Sequence, residues 1–364
     1  MPTFSLKFWQ PSNWPWPVLF TLSLVYTREV NLTRYLTGTI LSNYTDTILS
    51  PAWLLLLIYV VYRSGKLNYN WLGLLMTWNL LVAWPSTRPE TFWWLHTWII
   101  LLGYLLVTKT TWRRVGWVLL PVFLFDHALV SSAYPVVMLL AFQILRRHKN
   151  LRYLHSIVLL HLLAGAYQTA TGHALGLHWL GEKYLDLETN GVAKTTLGSW
   201  ELLRGYGLFA HPIILGIFGL LGLQFFPPCR VRRFAGGLAL VSQSRAVWVS
   251  LLGYVTRRWL SLLVPLLLLL FLLRLPTSDS YRFQDLLHYA RYLQDHPRDL
   301  LLGAGAGQYA HRLQAYSDLA NFQYQPVHSI PLLVLIEIGA GPLAVLSFHR
   351  LYRKYCGLLD HFSV

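Results

Sequence analysis

Apolar runs separated by short polar breaks recur along the chain, at roughly 14–27, 48–62, 70–84, 92–108, 114–129, 133–146, 153–171, 207–226, 233–244, 246–256, 259–275 and 327–348. A helix crosses a bilayer with about 20 apolar residues, and shorter ones are tolerated by bilayer thinning or snorkelling flanks. The pattern predicts an all-α fold: a polytopic membrane helix bundle of about twelve transmembrane helices. Two polar stretches, 172–206 and 276–326, interrupt it. Each mixes Trp, Tyr and Leu with turn residues, and DSYRFQDLLHYARYLQDH carries apolar positions at helical spacing. Both are expected to be helical outer loops lying on the membrane surface.

The expected organisation is one membrane domain. It comprises N-terminal helices over 1–171, an outer loop over 172–206, helices over 207–275, a large outer loop over 276–326, a last helix over 327–348 and a cytoplasmic tail over 349–364. No internal repeat is seen.

Charge fixes the expected orientation. Lys and Arg cluster at Arg63/Lys66, Lys109/Arg113/Arg114, Arg146/Arg147/Lys149/Arg152, Arg230/Arg232/Arg233, Arg257/Arg258 and Arg350/Arg353/Lys354. These clusters alternate with weakly charged loops, the positive-inside pattern, which places both termini in the cytoplasm and both polar stretches outside. A net charge of +15 therefore reads as topology, and nucleic acid is excluded as a partner. Composition agrees with lipid as a partner: 55% hydrophobic and 12% charged residues exceed the needs of one water-soluble core. The N-terminus lacks a compact basic region and a small-residue cleavage site, so it is expected to be retained. Cys229 and Cys356 fall in basic segments where a disulfide is not expected. No Cys/His pattern has metal-ligand spacing, and no cofactor is expected.

Four groups of polar residues carry candidate chemistry. Arg245 lies within GGLALVSQSRAVWVSLLGYV, and no Asp or Glu occurs between Phe226 and Leu275. Either two short helices meet at Gln243–Ser244 with Arg245 snorkelling, or Arg245 binds a ligand anion in an outward cavity. In LRGYGLFAHPIILG, Arg204 stands beside Gly205 and Gly207, which permit close backbone approach. His211 precedes Pro212 in that run, and a helix cap is as good a reading for it as a site role. Arg282 opens the amphipathic stretch that leads to Gly303 and Gly305; it suits either a surface ion pair with Asp279 or Asp285 or an anion site. GAGAG has no preceding strand, so it is not a dinucleotide loop. His328, with Ser329 beside it, stands at the mouth of the last helix. It is either a helix cap or a general base kept neutral by the helix N-terminus. Glu337 lies about two turns further on and must be protonated, paired or turned towards protein. Asp126 and His127 form another polar pair, without an assigned role.

Together the segments LRGYGLFAHPIILG, SQSRAVW, YRFQDLLHYARYLQDHPRDLLLGAGAGQY and QPVHSIPLLVLIEIGAGPL resemble, in order, the O-antigen ligase and polymerase superfamily of bacterial membrane glycosyltransferases. The resemblance runs from about Leu175 to Phe348, nearly half the chain. It implies a polyprenyl-diphosphate-linked glycan donor, a glycan, lipid or protein acceptor, and inverting transfer at the outer face of the cytoplasmic membrane. It further implies that Arg245 and Arg282, with Arg204 as an addition, hold the donor diphosphate, and that His328 activates the acceptor hydroxyl. An arginine fork suits diphosphate oxygens and stabilises the departing charge without a metal. The family's Asn residues after the motif His and after the His-Pro pair are Ser329 and Ile213 in this chain, and Ile213 cannot replace an amide. Two other classes use similar ingredients: a polyprenol-glycan flippase or transporter, and a non-catalytic scaffold of a polysaccharide assembly complex.

Overall fold

A computed structural model describes residues 16–28, 30–31, 48–63, 99–125, 132–147, 151, 153–189, 192–197, 200–227, 230–255, 280–304, 335–342 and 344. Within them lie helices α1 (Trp16–Val25), α2 (Pro51–Arg63), α3 (Lys109–Phe125), α4 (Tyr134–Arg147) and α5 (Tyr153–Thr171). Then come α6 (Pro212–Phe225), α7 (Arg230–Val241), α8 (Arg245–Val255), α9 (Ser280–Asp295) and α10 (Pro297–Leu302). Strands β1 (Val30–Asn31) and β2 (Ile48–Leu49) pair antiparallel, as do β3 (Lys194–Leu197) and β4 (Trp200–Leu203), with Lys194 opposite Leu203.

α6 is the central helix, buried along its length except at Gln224. Pro212 occupies its first turn, where the missing N–H costs nothing. Gly216, Gly219 and Gly222 then present a row with no side chains. A Cβ on Gly219 would stand 2.6 Å from the Ala235 carbonyl oxygen and 2.7 Å from the Ala239 nitrogen. α6 and α7 therefore meet backbone to backbone, a contact that small residues on both faces permit. On its other side α6 packs on α4, where Phe142 stacks on Phe225 at 5.2 Å and meets Phe226 edge-on at 5.4 Å. Tyr134 meets Phe209 at 5.3 Å at the opposite end of the same contact.

The expected bundle of about twelve membrane-crossing helices is corrected by the structure: among the described residues no helix is long and apolar enough to cross a membrane. Hydropathy runs register composition and are blind to where a helix stops. The run around Arg245 is broken between α7 and α8, with Gln243 at a φ of 46°. α6 has 14 residues, about 21 Å at 1.5 Å per residue, against an apolar thickness of about 30 Å. α5 reaches 19 residues but carries His155, Ser156, His161 and Gln168. The proposed spans 70–84 and 259–275, and most of 327–348, lie outside the described residues.

The all-α expectation is also corrected, since both small sheets are present. The loop over 172–206, expected to be helical, holds one short 3-10 turn at His178–Leu180, a bridge between His173 and Asp186, and the β3–β4 hairpin. Gly172, Gly176 and Gly181 adopt φ values of 76°, 95° and 113°, which end any helix there. The second polar stretch does contain helices, α9 and α10.

Candidate functional site

The described part of the site is built on one stripe of α5. His161, Gly165 and Gln168 fall at i, i+4 and i+7, so they share a helix face, and all three are buried. That face receives the segment 205–208. The Gln168 amide oxygen accepts the N–H groups of Tyr206 and Gly207, both at 2.9 Å. Its amide nitrogen donates to the Gly207 carbonyl and to Glu182 Oε1, both at 2.8 Å. Glu182, itself 3% exposed, also accepts the Leu175 and Leu177 N–H groups at 2.6 Å each. A buried carboxylate needs such donors to offset its lost hydration.

His161 completes the network. Its Nδ1 accepts the Leu208 N–H at 3.2 Å while Nε2 stands 2.8 Å from the Leu24 carbonyl. One nitrogen accepting and the other donating defines the neutral Nε2–H tautomer. The ring stacks on Phe209 at 4.2 Å. Gly207, at a φ of 60°, sits against this ring; a Cβ there would stand 2.8 Å from His161 Nδ1 and 2.9 Å from Leu215 Cδ1. Gly207→Ala is expected to lower stability by roughly 2–4 kcal/mol, combining left-handed strain with overpacking. Thermal melting followed by circular dichroism measures it.

The same segment seats three of the sequence-predicted residues. The Gly205 N–H donates to the Val241 carbonyl at 3.0 Å, and a Cβ on Gly205 would collide with Val241 Cγ1. This single backbone junction puts Arg204, one residue before Gly205, beside the chain that turns through Ser242–Ser244 into Arg245. Arg245 is the first residue of α8 and is exposed. Arg204 follows β4, and its Nε donates to the Lys194 carbonyl at 3.0 Å and to Thr195 Oγ1 at 3.1 Å. His211 caps α6: its Nδ1 accepts the Ile213 N–H at 3.3 Å. Tyr206 lies between them, accepting the Ala193 N–H at 2.7 Å. Burial pushes its phenol above the ordinary range, against the lowering pull of the Ala193 N–H and of Arg204.

A second junction holds Gly303 and Glu337. The Ala304 N–H donates to the Ile336 carbonyl at 2.8 Å. Gly303 and Gly339, at φ values of 82° and 86°, pass each other without room for a side chain on either. Tyr289 and Tyr292 of α9 pack on Ala304 and Ile336, and the Tyr292 hydroxyl donates to Asp299 Oδ2. Glu337 is 6% exposed. Arg282 lies on the first turn of α9. His328, Ser329 and Gly305, with Asp126 and His127, lie outside the described residues.

No family model, curated protein or solved structure matches this chain. Its chemistry is therefore read from its own residues. The segments that carry Arg204 and Arg245 are tied by one backbone hydrogen bond, Gly205 to Val241, and Arg245 stands at a helix N-terminus, whose backbone N–H groups favour anions. The residues missed in the sequence are those that hold the scaffold: His161, Gln168 and Glu182. The signal for His161 and Gln168 was present as two polar side chains and a glycine on one phase of an apolar helix.

Proposed function

We propose that the chain transfers a glycan from a polyprenyl-diphosphate carrier to an acceptor hydroxyl at the outer face of the cytoplasmic membrane. The observation that carries this reading is the Gly205–Val241 junction, which seats the segments LRGYGLFAHP and SQSRAVW against each other although about forty residues separate their arginines. In the proposed reaction His328 takes the acceptor proton, and the hydroxyl oxygen attacks the anomeric carbon from the side opposite the diphosphate. The bond from that carbon to the diphosphate oxygen breaks, its electron pair leaves on the diphosphate, and the configuration inverts. Arg245 and Arg282 neutralise that developing charge, and Arg204, fixed through Nε to β3, adds positive potential beside Tyr206.

A carrier of this kind needs apolar surroundings. Val18 and Leu22 on α1, Trp117 on α3 and Leu163 on α5 expose apolar side chains that support such a setting. Replacing Arg245, Arg282 or His328 singly by Ala is expected to lower transfer by about 100-fold or more. Mass analysis of surface glycans from cells carrying each variant reads the effect, and full transfer in all three would sink the proposal.

A second reading, a non-catalytic scaffold, is favoured by Ile213. Its side chain is 1% exposed and packs in the core, so no amide stands at that position. Under that reading His328→Ala leaves the glycan unchanged while loss of the whole chain abolishes it.

A further inference from the structure

The end of the bundle farthest from the Gly205–Val241 junction has a different chemistry. There the last turn of α6 meets the start of α3 through Gln224, whose amide donates to the Arg114 carbonyl. The last turn of α8 closes on α6 and α7: the Tyr254 hydroxyl donates to the Leu223 carbonyl at 3.0 Å and accepts from the Arg232 guanidinium. His155, in the first turn of α5, lies edge-on to Phe226 at 5.3 Å. Phe142, one turn before the end of α4, stacks on Phe225. Six helices thus converge on one surface, and they bring their basic residues with them.

Arg113, Arg114, Arg146, Arg147, Arg230 and Arg233 are all exposed on these termini. Arg114 and Arg146 are close enough to repel each other. No Asp or Glu occurs anywhere in α3, α4, α5, α6, α7 or α8, so the surface has no acid of its own helices to balance it. The described acids of the bundle's loops, Glu182, Asp186, Glu188 and Glu201, belong to the opposite end. Like charges gathered without counterions destabilise a fold unless an anionic partner neutralises them.

The neighbours of these arginines identify the partner. Trp117, 70% exposed, follows Arg113 by one helical turn; Phe234 adjoins Arg233; and Val255, 72% exposed, ends α8. Guanidinium groups interleaved with bare aliphatic and aromatic side chains match a layer that offers phosphate at its surface and hydrocarbon just beneath it. A nucleic acid would use the charge and the rings but would leave Val255 against water.

We propose that this arginine-bearing end is a docking surface for anionic phospholipid headgroups. The proposal rests on the membrane setting of the transfer reading, but not on its chemistry. The full-length chain in neutral detergent is melted with mixed micelles of phosphatidylglycerol or phosphatidylcholine, at low and high salt. Phosphatidylglycerol is expected to raise the melting temperature at low salt, and high salt to remove the rise. Arg113→Gln with Arg114→Gln is expected to lose most of it, while Lys183→Gln, at the opposite end, keeps it. Should the first variant not fold, Arg146→Gln with Arg147→Gln serves the same purpose at two exposed positions.

Equal rises with both lipids, an unchanged rise in the arginine variants, or an equal rise with inorganic phosphate or a short RNA would each overturn the proposal. Transfer activity is read separately, so a chain that binds phosphatidylglycerol but transfers nothing retains this surface and loses only the reaction.

Discussion

Gly339→Ala is expected to lower stability by more than about 4 kcal/mol. The new Cβ would meet the Gly303 nitrogen and the Leu301 carbonyl oxygen, with the Leu302 carbonyl carbon 2.6 Å away. All three are backbone atoms, which cannot turn aside as a side chain does. The φ of 86° adds strain that only glycine escapes. Gly236→Ala provides the contrast, because the nearest atom to a Cβ there is Leu223 Cδ2 at 3.6 Å and the position is helical. That variant is expected to be neutral or more stable by up to about 1 kcal/mol. Thermal melting of both variants checks the pair, and a Gly339→Ala protein that melts like the parent would show that α10 and the last helical stretch do not meet as described.

Gln168→Leu is expected to cost roughly 3–5 kcal/mol, because one substitution strips four groups of their partner. The Tyr206 and Gly207 N–H groups, the Gly207 carbonyl and Glu182 Oε1 all bond to this amide. Leucine fills similar space, so the loss is polar and leaves the packing in place. Hydrogen exchange should report it locally: the amides at 206 and 207 exchange faster, whereas those in the middle of α6 keep their rate relative to global unfolding. Unchanged exchange at 206 and 207 would mean that Gln168 does not hold this segment. Transfer should fall as well, since the displaced segment carries Arg204.

How far the site could be read from the sequence depended on the range of each interaction. The local signals were legible. His211-Pro212 announces a helix start, and His211 does cap α6. The pair Gln243–Ser244 was one of two readings for the run around Arg245, and the helix does break there. Long-range contacts were not legible. Gly205 and Gly207 suggested room for a ligand, whereas their missing side chains admit Val241 and His161. The tie from the Arg204 Nε to a strand of its own hairpin was not legible either. β3 itself, KTTL, is too short and too mixed to announce a partner six residues on.

Length and mean hydropathy misled for a related reason. An average over α5 blends His161 and Gln168 into their apolar neighbours, although their common phase is what builds the scaffold. The correct signal was the angle of the polar residues around the helix, which run-counting discards.

The ties that close α1 also set an order of events on the ribosome. The Leu24 carbonyl finds its partner 137 residues later, at His161, and the Thr27 hydroxyl finds the Leu208 carbonyl 181 residues later. At synthesis rates of about 5–20 residues per second, the second partner emerges roughly 10–40 s after Thr27. Until then the end of α1 lacks at least one of these two partners. The nascent first helix must therefore wait, with its last turn unlocked, until more than half of the chain has been made.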